Sequence, residues 1–171
     1  QQYSEQLLLT EAFIKQATPG FENNDLPKLN LELRDYQSNI VNKCLRNGRG
    51  TVVLATAGGK TLTIATLLES IYQTDKNFTC ALIVPDLGLV NQTHADFNEY
   101  GVSFTHSKWT GNNELDLSSN VVICNMGILQ SSKSNVEWMR DIDVCLVDEV
   151  HKLRKGNKIN ICGRKHNWTK N

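Results

Sequence analysis

The sequence predicts an α/β fold: a mainly parallel sheet with helices on both faces and a short N-terminal helical extension. Two patterns predict the sheet. The apolar runs at 51–55, 80–84, 121–124 and 143–147 are continuous rather than alternating, as strands buried on both faces are. Segments of helical period separate them, so each strand is followed by a crossover that returns the chain to the same sheet edge. A third observation concerns the residues just after two of these runs. One run leads into Gly58-Gly59-Lys60-Thr61 and another into Asp148-Glu149.

The bulk numbers fit one domain. A chain of 171 residues is long enough for one α/β unit and too short for two, and 40% hydrophobic with 21% charged residues is ordinary globular composition. Lys plus Arg and Asp plus Glu are 18 each, so total charge does not point to nucleic acid. The one basic cluster runs from Lys152 to Lys158, with Arg164 and Lys165 beyond it; a solvated loop and a binding patch are both open readings. Five cysteines lie far apart with no C-x-x-C pair, and Cys80, Cys124 and Cys145 sit in apolar runs as small buried hydrophobes of a reducing compartment. No run approaches the roughly 20 apolar residues of a membrane span, and no signal segment opens the chain, so an intracellular, soluble protein without a membrane partner is expected. The chain starts at Gln1 rather than Met and ends at Asn171 without a terminating signal, as a fragment of a larger protein would.

In chain order, residues 4–16 read as a helix capped by Ser4, with Leu7, Leu8, Phe13 and Ile14 on one side. Thr18-Pro19-Gly20 breaks it, and a connecting segment reaches Leu29, which divides the chain into 1–30 and a domain over 31–171. A second helix comes next, with Tyr36, Ile40, Cys44 and Leu45 on one face, and Asn47-Gly48-Arg49-Gly50 ends it. Residues 60–73 carry Ile64, Leu67, Leu68 and Ile71 at the i, i+3, i+4, i+7 spacing of an amphipathic helix. Residues 89–100 form another, with Leu89, Thr93, Phe97 and Tyr100 aligned, and Pro85 stops the strand before it.

The turn between the first strand and its helix is the recipe for a phosphate cradle. Small residues let backbone N–H groups close around an anion, and the helix N-terminus adds about half a positive charge. Lys60 would neutralise phosphate oxygens and the Thr61 hydroxyl would hold Mg²⁺. The strict G-x-x-x-x-G-K-[ST] pattern wants glycine at Leu54, so a ligand-free turn is the alternative at this point. Asp148-Glu149 changes the balance. Parallel sheets bind ligands outside the carboxyl ends of their strands, and a carboxylate pair ending an apolar strand there can complete a Mg²⁺ shell and position a water. His94, His106 and His166 lack ligand partners at metal spacing. Trp109 is read as a core or loop anchor, against base stacking, and Trp138 as packing before the last strand.

With these stretches placed, the sequence resembles the first RecA-like motor domain of a superfamily 2 helicase, over about 31–153. It is similar to the branch holding UvsW-type phage helicases, XPB-type repair helicases and restriction-enzyme motor subunits. Leu33-Arg34-Asp35-Tyr36-Gln37 is similar to that branch's nucleotide-recognition motif, which implies that Gln37, with Arg34 beside it, reads the adenine edge of ATP. Leu54 to Thr61 is similar to its motif I, where an apolar first position is common; Thr56, Ala57, Gly58, Gly59, Lys60 and Thr61 are the implied nucleotide contacts. Val84-Pro85-Asp86-Leu87-Gly88-Leu89-Val90-Asn91-Gln92 resembles motif Ia, which touches the tracked strand, and the stretch from Val121 to Leu129 resembles motif Ib with Asn125 in place of threonine. Asp148-Glu149-Val150-His151 resembles motif II of the DExH kind. The resemblance implies that Asp148 holds Mg²⁺ with Thr61, Glu149 activates water, and His151 couples hydrolysis to nucleic acid. Motif III and the second RecA-like domain are not found after His151. The implied function is the ATP-binding half of an ATP-dependent DNA helicase or translocase, with DNA favoured over RNA as the partner. The alternatives are a restriction-enzyme motor subunit and a non-catalytic nucleotide- or DNA-binding fragment. The chain alone is expected to bind ATP weakly and to unwind nothing.

Overall fold

Alternate side chains of the apolar strands divide between two cores, one on each face of a single sheet. In β3 (Cys80–Val84), Cys80, Leu82 and Val84 face one core while Ala81 and Ile83 face the other. The same division holds in β5 (Val121–Asn125) and β6 (Val144–Asp148). That is why these runs carry no polar alternation: neither face meets water. The computed structural model describes residues 8–14, 26–54, 59–131, 136–149, 158–161 and 164–167.

The sheet order is β2-β1-β6-β3-β5-β4, with β1 at Leu8–Ile14, β2 at Arg49–Val53 and β4 at His106–Trp109. Strands β6, β3, β5 and β4 are mutually parallel, and β1 is antiparallel to both β2 and β6. Consequently β2 runs in the same direction as β6, and the carboxyl ends of both lie at one edge. A separate antiparallel pair, β7 (Lys158–Ile161) and β8 (Arg164–Asn167), comes last.

One core lies under three long helices, α1 (Asp35–Asn47), α2 (Lys60–Thr74) and α3 (Leu87–Tyr100), and centres on Leu68, Phe78, Phe97 and Phe104. The other is covered more thinly by α4 (Met126–Gln130) and a 3₁₀ turn at Glu137–Arg140. There Trp109, 7% exposed, meets Trp138 edge-to-face at 5.8 Å. Both tryptophans therefore pack as anchors. Burial pushes the Cys124 thiol up to about 12, which leaves it inert as a nucleophile.

Several expectations meet corrections. Residues 8–14, expected within a helix, form β1. A slot between β2 and β6 offers hydrogen-bond partners on both edges of the segment, and sheet pairing overrides a helical period carried by few apolar residues. The buried face of α1 is Gln37, Val41 and Leu45, while Tyr36 is 38% exposed. The face is rotated from the apolar positions because a polar residue, Gln37, is buried with its hydrogen bonds satisfied. β4 escaped the sequence reading altogether, since His-Ser-Lys-Trp carries no strand pattern of its own.

His106 on β4 is half-buried among Phe97, Phe104 and His94, and its buried Nδ1 has no partner. Burial, and then His94, lower its pKa from 6.5 to about 4. Burial, and then the nearby Lys108, lower His94 as well. Between those values the unfolded chain binds a proton that the fold refuses, so stability falls as pH drops from about 6.5 towards 4. Replacing His106 by Phe removes this dependence. Urea unfolding of both proteins should show the variant gaining on wild type below pH 6.5 and no such drift above it.

Candidate nucleotide-binding site

Lys60 opens α2, just after Gly59, whose φ of +70° is the left-handed conformation that glycine adopts without strain. No acidic residue occupies the first turn of α2, so nothing there competes with an anion for the free N–H groups. Thr61 is next, partly exposed. The Gly59 carbonyl accepts from Thr63 N at 3.1 Å, Thr63 Oγ1 at 3.0 Å and Gln37 Nε2 at 3.0 Å. Three donors thus fix the orientation of the peptide that precedes Lys60.

Across β1, the carboxyl end of β6 delivers Asp148 and Glu149. Lys60 Nζ lies 2.6 Å from Glu149 Oε1 and 3.5 Å from Asp148 Oδ1. The two carboxylates are 8% and 7% exposed. Burial raises the pKa of Asp148; the Lys60 ammonium opposes that rise and the Glu149 carboxylate adds to it. Glu149 is also the one non-glycine residue with positive φ among the described residues, at 55°. A left-handed backbone costs roughly 1–2 kcal/mol for such a residue.

Mg²⁺ can be tested against this geometry. Asp148 Oδ1 is buried and has no hydrogen-bond donor, only the 3.5 Å ion pair with Lys60. An anionic oxygen of that kind, on a residue beside the loop that carries Thr61, suits a hard divalent cation. No group of three or more His, Cys, Asp or Glu side chains forms a metal cluster among the described residues, so phosphate oxygens and water would have to complete the shell.

The structure brings together Lys60, Asp148 and Glu149, with Gly59, Thr61 and Gln37 beside them. Arg34 is exposed and its Nη1 lies 3.4 Å from Tyr36 Oη, while its backbone N–H donates to Gln37 Oε1 at 2.8 Å. Thr56, Ala57, Gly58 and His151 lie outside the described residues. Sequence reasoning missed Thr63, whose hydroxyl reaches back one turn; a threonine four residues after the turn glycine is the signal that could have found it. Farther along the edge, Asp86 Oδ1 caps α3 by accepting from Leu89 N, and Lys108 Nζ donates to Asn91 at 3.1 Å.

A family model described as ResIII, type III restriction enzyme, res subunit, matches residues 30–170. The chain belongs to that family. Among solved structures, the UvsW helicase from bacteriophage T4 is similar, at 24% identity and a TM-score of 0.63, over 77% of this chain and 48% of that one. A second T4 UvsW structure is similar at 23% identity and a TM-score of 0.50, over 67% of this chain and 24% of that one. The chain therefore spans about half the length of the first of these. The likeness is one of fold, the RecA-like motor domain of superfamily 2 helicases. Comparison with curated proteins found no match. No helix among the described residues is long and apolar enough to cross a membrane.

The ion pair can be measured directly. A double-mutant cycle with Lys60→Ala and Glu149→Gln, read by urea unfolding without nucleotide, should give a coupling of about 1–3 kcal/mol, as for a partly buried charged hydrogen bond. Additive effects of the two substitutions would mean that the pair is not formed in solution.

Proposed function

We propose that this chain is the ATP-binding half of an ATP-dependent DNA helicase or translocase acting in replication, recombination or repair. The observation that carries the reading is the meeting of Lys60 with Asp148 and Glu149 at the carboxyl edge of a parallel sheet. Such an edge is where α/β proteins bind nucleotides. Membership of the ResIII family supports a helicase-type, ATP-dependent motor. It equally supports a restriction-enzyme motor subunit as the second reading, which would be distinguished by a nuclease domain in the same protein or complex.

Each residue takes a separate share of the work. Lys60 exchanges its carboxylate partners for phosphate oxygens, aided by the N–H groups that open α2. Thr61 and Asp148 would hold Mg²⁺, which supplies neutralising charge to the phosphates. Glu149, freed from Lys60, orients a water and takes its proton. His151 couples the site to nucleic acid, whose backbone would run past motif Ia near Asn91 and Lys108. A second RecA-like domain completes the site, because an arginine finger alone contributes roughly 10³ to 10⁵ in turnover. These 171 residues by themselves are expected to bind ATP weakly and to separate no strands.

Binding and turnover separate the roles. Lys60→Ala should weaken Mg²⁺-ATP binding about 100-fold or more in calorimetry. Glu149→Gln should keep binding, or tighten it by releasing Lys60, while hydrolysis falls by about 10²–10⁴. Unchanged ATP affinity in Lys60→Ala would overturn the assignment. Stimulation of hydrolysis by single-stranded DNA but not RNA, in the protein joined to its second domain, would support DNA as the partner.

A further inference from the structure

The charges of the chain are not spread evenly. Seven of the 18 Lys and Arg residues, and none of the 18 Asp and Glu, fall within residues 152–171. That stretch carries a formal charge of +7, and the 151 residues before it carry −7. A net charge of zero therefore conceals a strong local asymmetry, of the sign that draws polyanions. Lys152, Arg154 and Lys155 lie outside the described residues, whereas Lys158, Arg164 and Lys165 belong to the β7–β8 pair.

Register sorts the residues of that pair onto two faces. Opposed residues of an antiparallel pair share a face, and successive residues along a strand change face. Lys158↔Asn167 and Asn160↔Lys165 consequently lie on one face, and Ile159↔His166 and Ile161↔Arg164 on the other. The first face holds two lysines and two asparagines, with no apolar, acidic or aromatic residue among the four. Each lysine stands opposite an asparagine, which leaves the two cations diagonal, about 7–8 Å apart, and limits their repulsion. The second face carries both isoleucines of β7, so the hairpin has a side suited to packing, and β7 lies beside the 3₁₀ turn Glu137–Arg140.

Lysine and asparagine are among the side chains that contact phosphate oxygens. Proteins that hold single strands add aromatic side chains on which bases stack, and the lysine face offers none. A duplex needs no such platform and presents one charge per roughly 1.7 Å of its axis. We propose that the face made by Lys158, Asn160, Lys165 and Asn167 is a contact for the phosphate backbone of duplex nucleic acid, made without regard to base sequence. The contact needs no ATP and stands apart from the site at Lys60.

The test reads binding by fluorescence anisotropy on two duplexes of unrelated sequence, without nucleotide, over a series of salt concentrations. Wild type is compared with three double variants. Lys158→Gln/Lys165→Gln removes the cations of the face. Asn160→Asp/Asn167→Asp sets a carboxylate opposite each lysine, which favours the strand pairing while neutralising the face. Lys28→Gln/Lys43→Gln removes the same charge from exposed positions elsewhere. Wild type should bind both duplexes alike. Both hairpin variants should bind each duplex roughly tenfold more weakly at low salt, and the slope of log affinity against log salt should shrink by about 2. The Lys28/Lys43 variant should stay within about twofold of wild type. An equal loss in that variant would reduce the effect to net charge and overturn the proposal. So would unchanged affinity in the hairpin variants, unequal binding of the two duplexes, or tighter binding of a single strand than of a duplex. Should the glutamine variant lose thermal stability, the aspartate variant decides alone, and unchanged affinity there overturns the proposal. A wild type that binds ATP but no duplex would also overturn it, while leaving the nucleotide site intact.

Discussion

Lys60 can reach Glu149 because β2 and β6 point the same way although they are not neighbours. Two strands separated by a third lie roughly 10 Å apart, a gap that a lysine at the foot of α2 and a glutamate at the end of β6 close between them at 2.6 Å. The intervening β1 is antiparallel to both, with Thr10 opposite Val52 on one side and Asp148 on the other. Had β2 run against β6, its carboxyl end and the loop after it would open at the opposite edge. The charged cluster would then not exist.

Burial turns that geometry into an electrostatic constraint. Two carboxylates that are almost excluded from water share one ammonium, and Asp148 is the poorer served, with a raised pKa and an oxygen without a donor. A site in this condition favours any ligand that brings a cation for Asp148 and anionic oxygens for Lys60 together. The tension is also local and conformational, since Glu149 holds a left-handed backbone while paired. An anion that took Lys60 would therefore have to displace Glu149.

Much of this was legible from the residues. β3, β5 and β6 announce themselves because both their faces are buried, and α2 and α3 because their apolar spacing coincides with the residues they bury. The meeting of Lys60 with Asp148 and Glu149 was legible for a different reason: Lys60 follows the turn after β2, and Asp148 and Glu149 stand at the end of β6, at the same edge of the sheet. β1 was not, because its strand character comes from partners distant in sequence rather than from its own period. β4 is an edge strand of four residues that takes its register from β5. The burial of Gln37 was hidden because hydrogen bonds to Arg34 and Gly59, not hydrophobicity, make it favourable. Polar residues with complete partners leave no trace in an apolar pattern.

The exchange of partners at Lys60 is tested most directly by a crystal structure of the protein with Mg²⁺ and a non-hydrolysable ATP analogue. Phosphate oxygens are expected at Lys60 Nζ, with the cation between Thr61 and Asp148. The Lys60–Glu149 separation should open well beyond its present 2.6 Å. A nucleotide bound elsewhere, or one bound at this edge with the Lys60–Glu149 pair intact, would contradict that exchange.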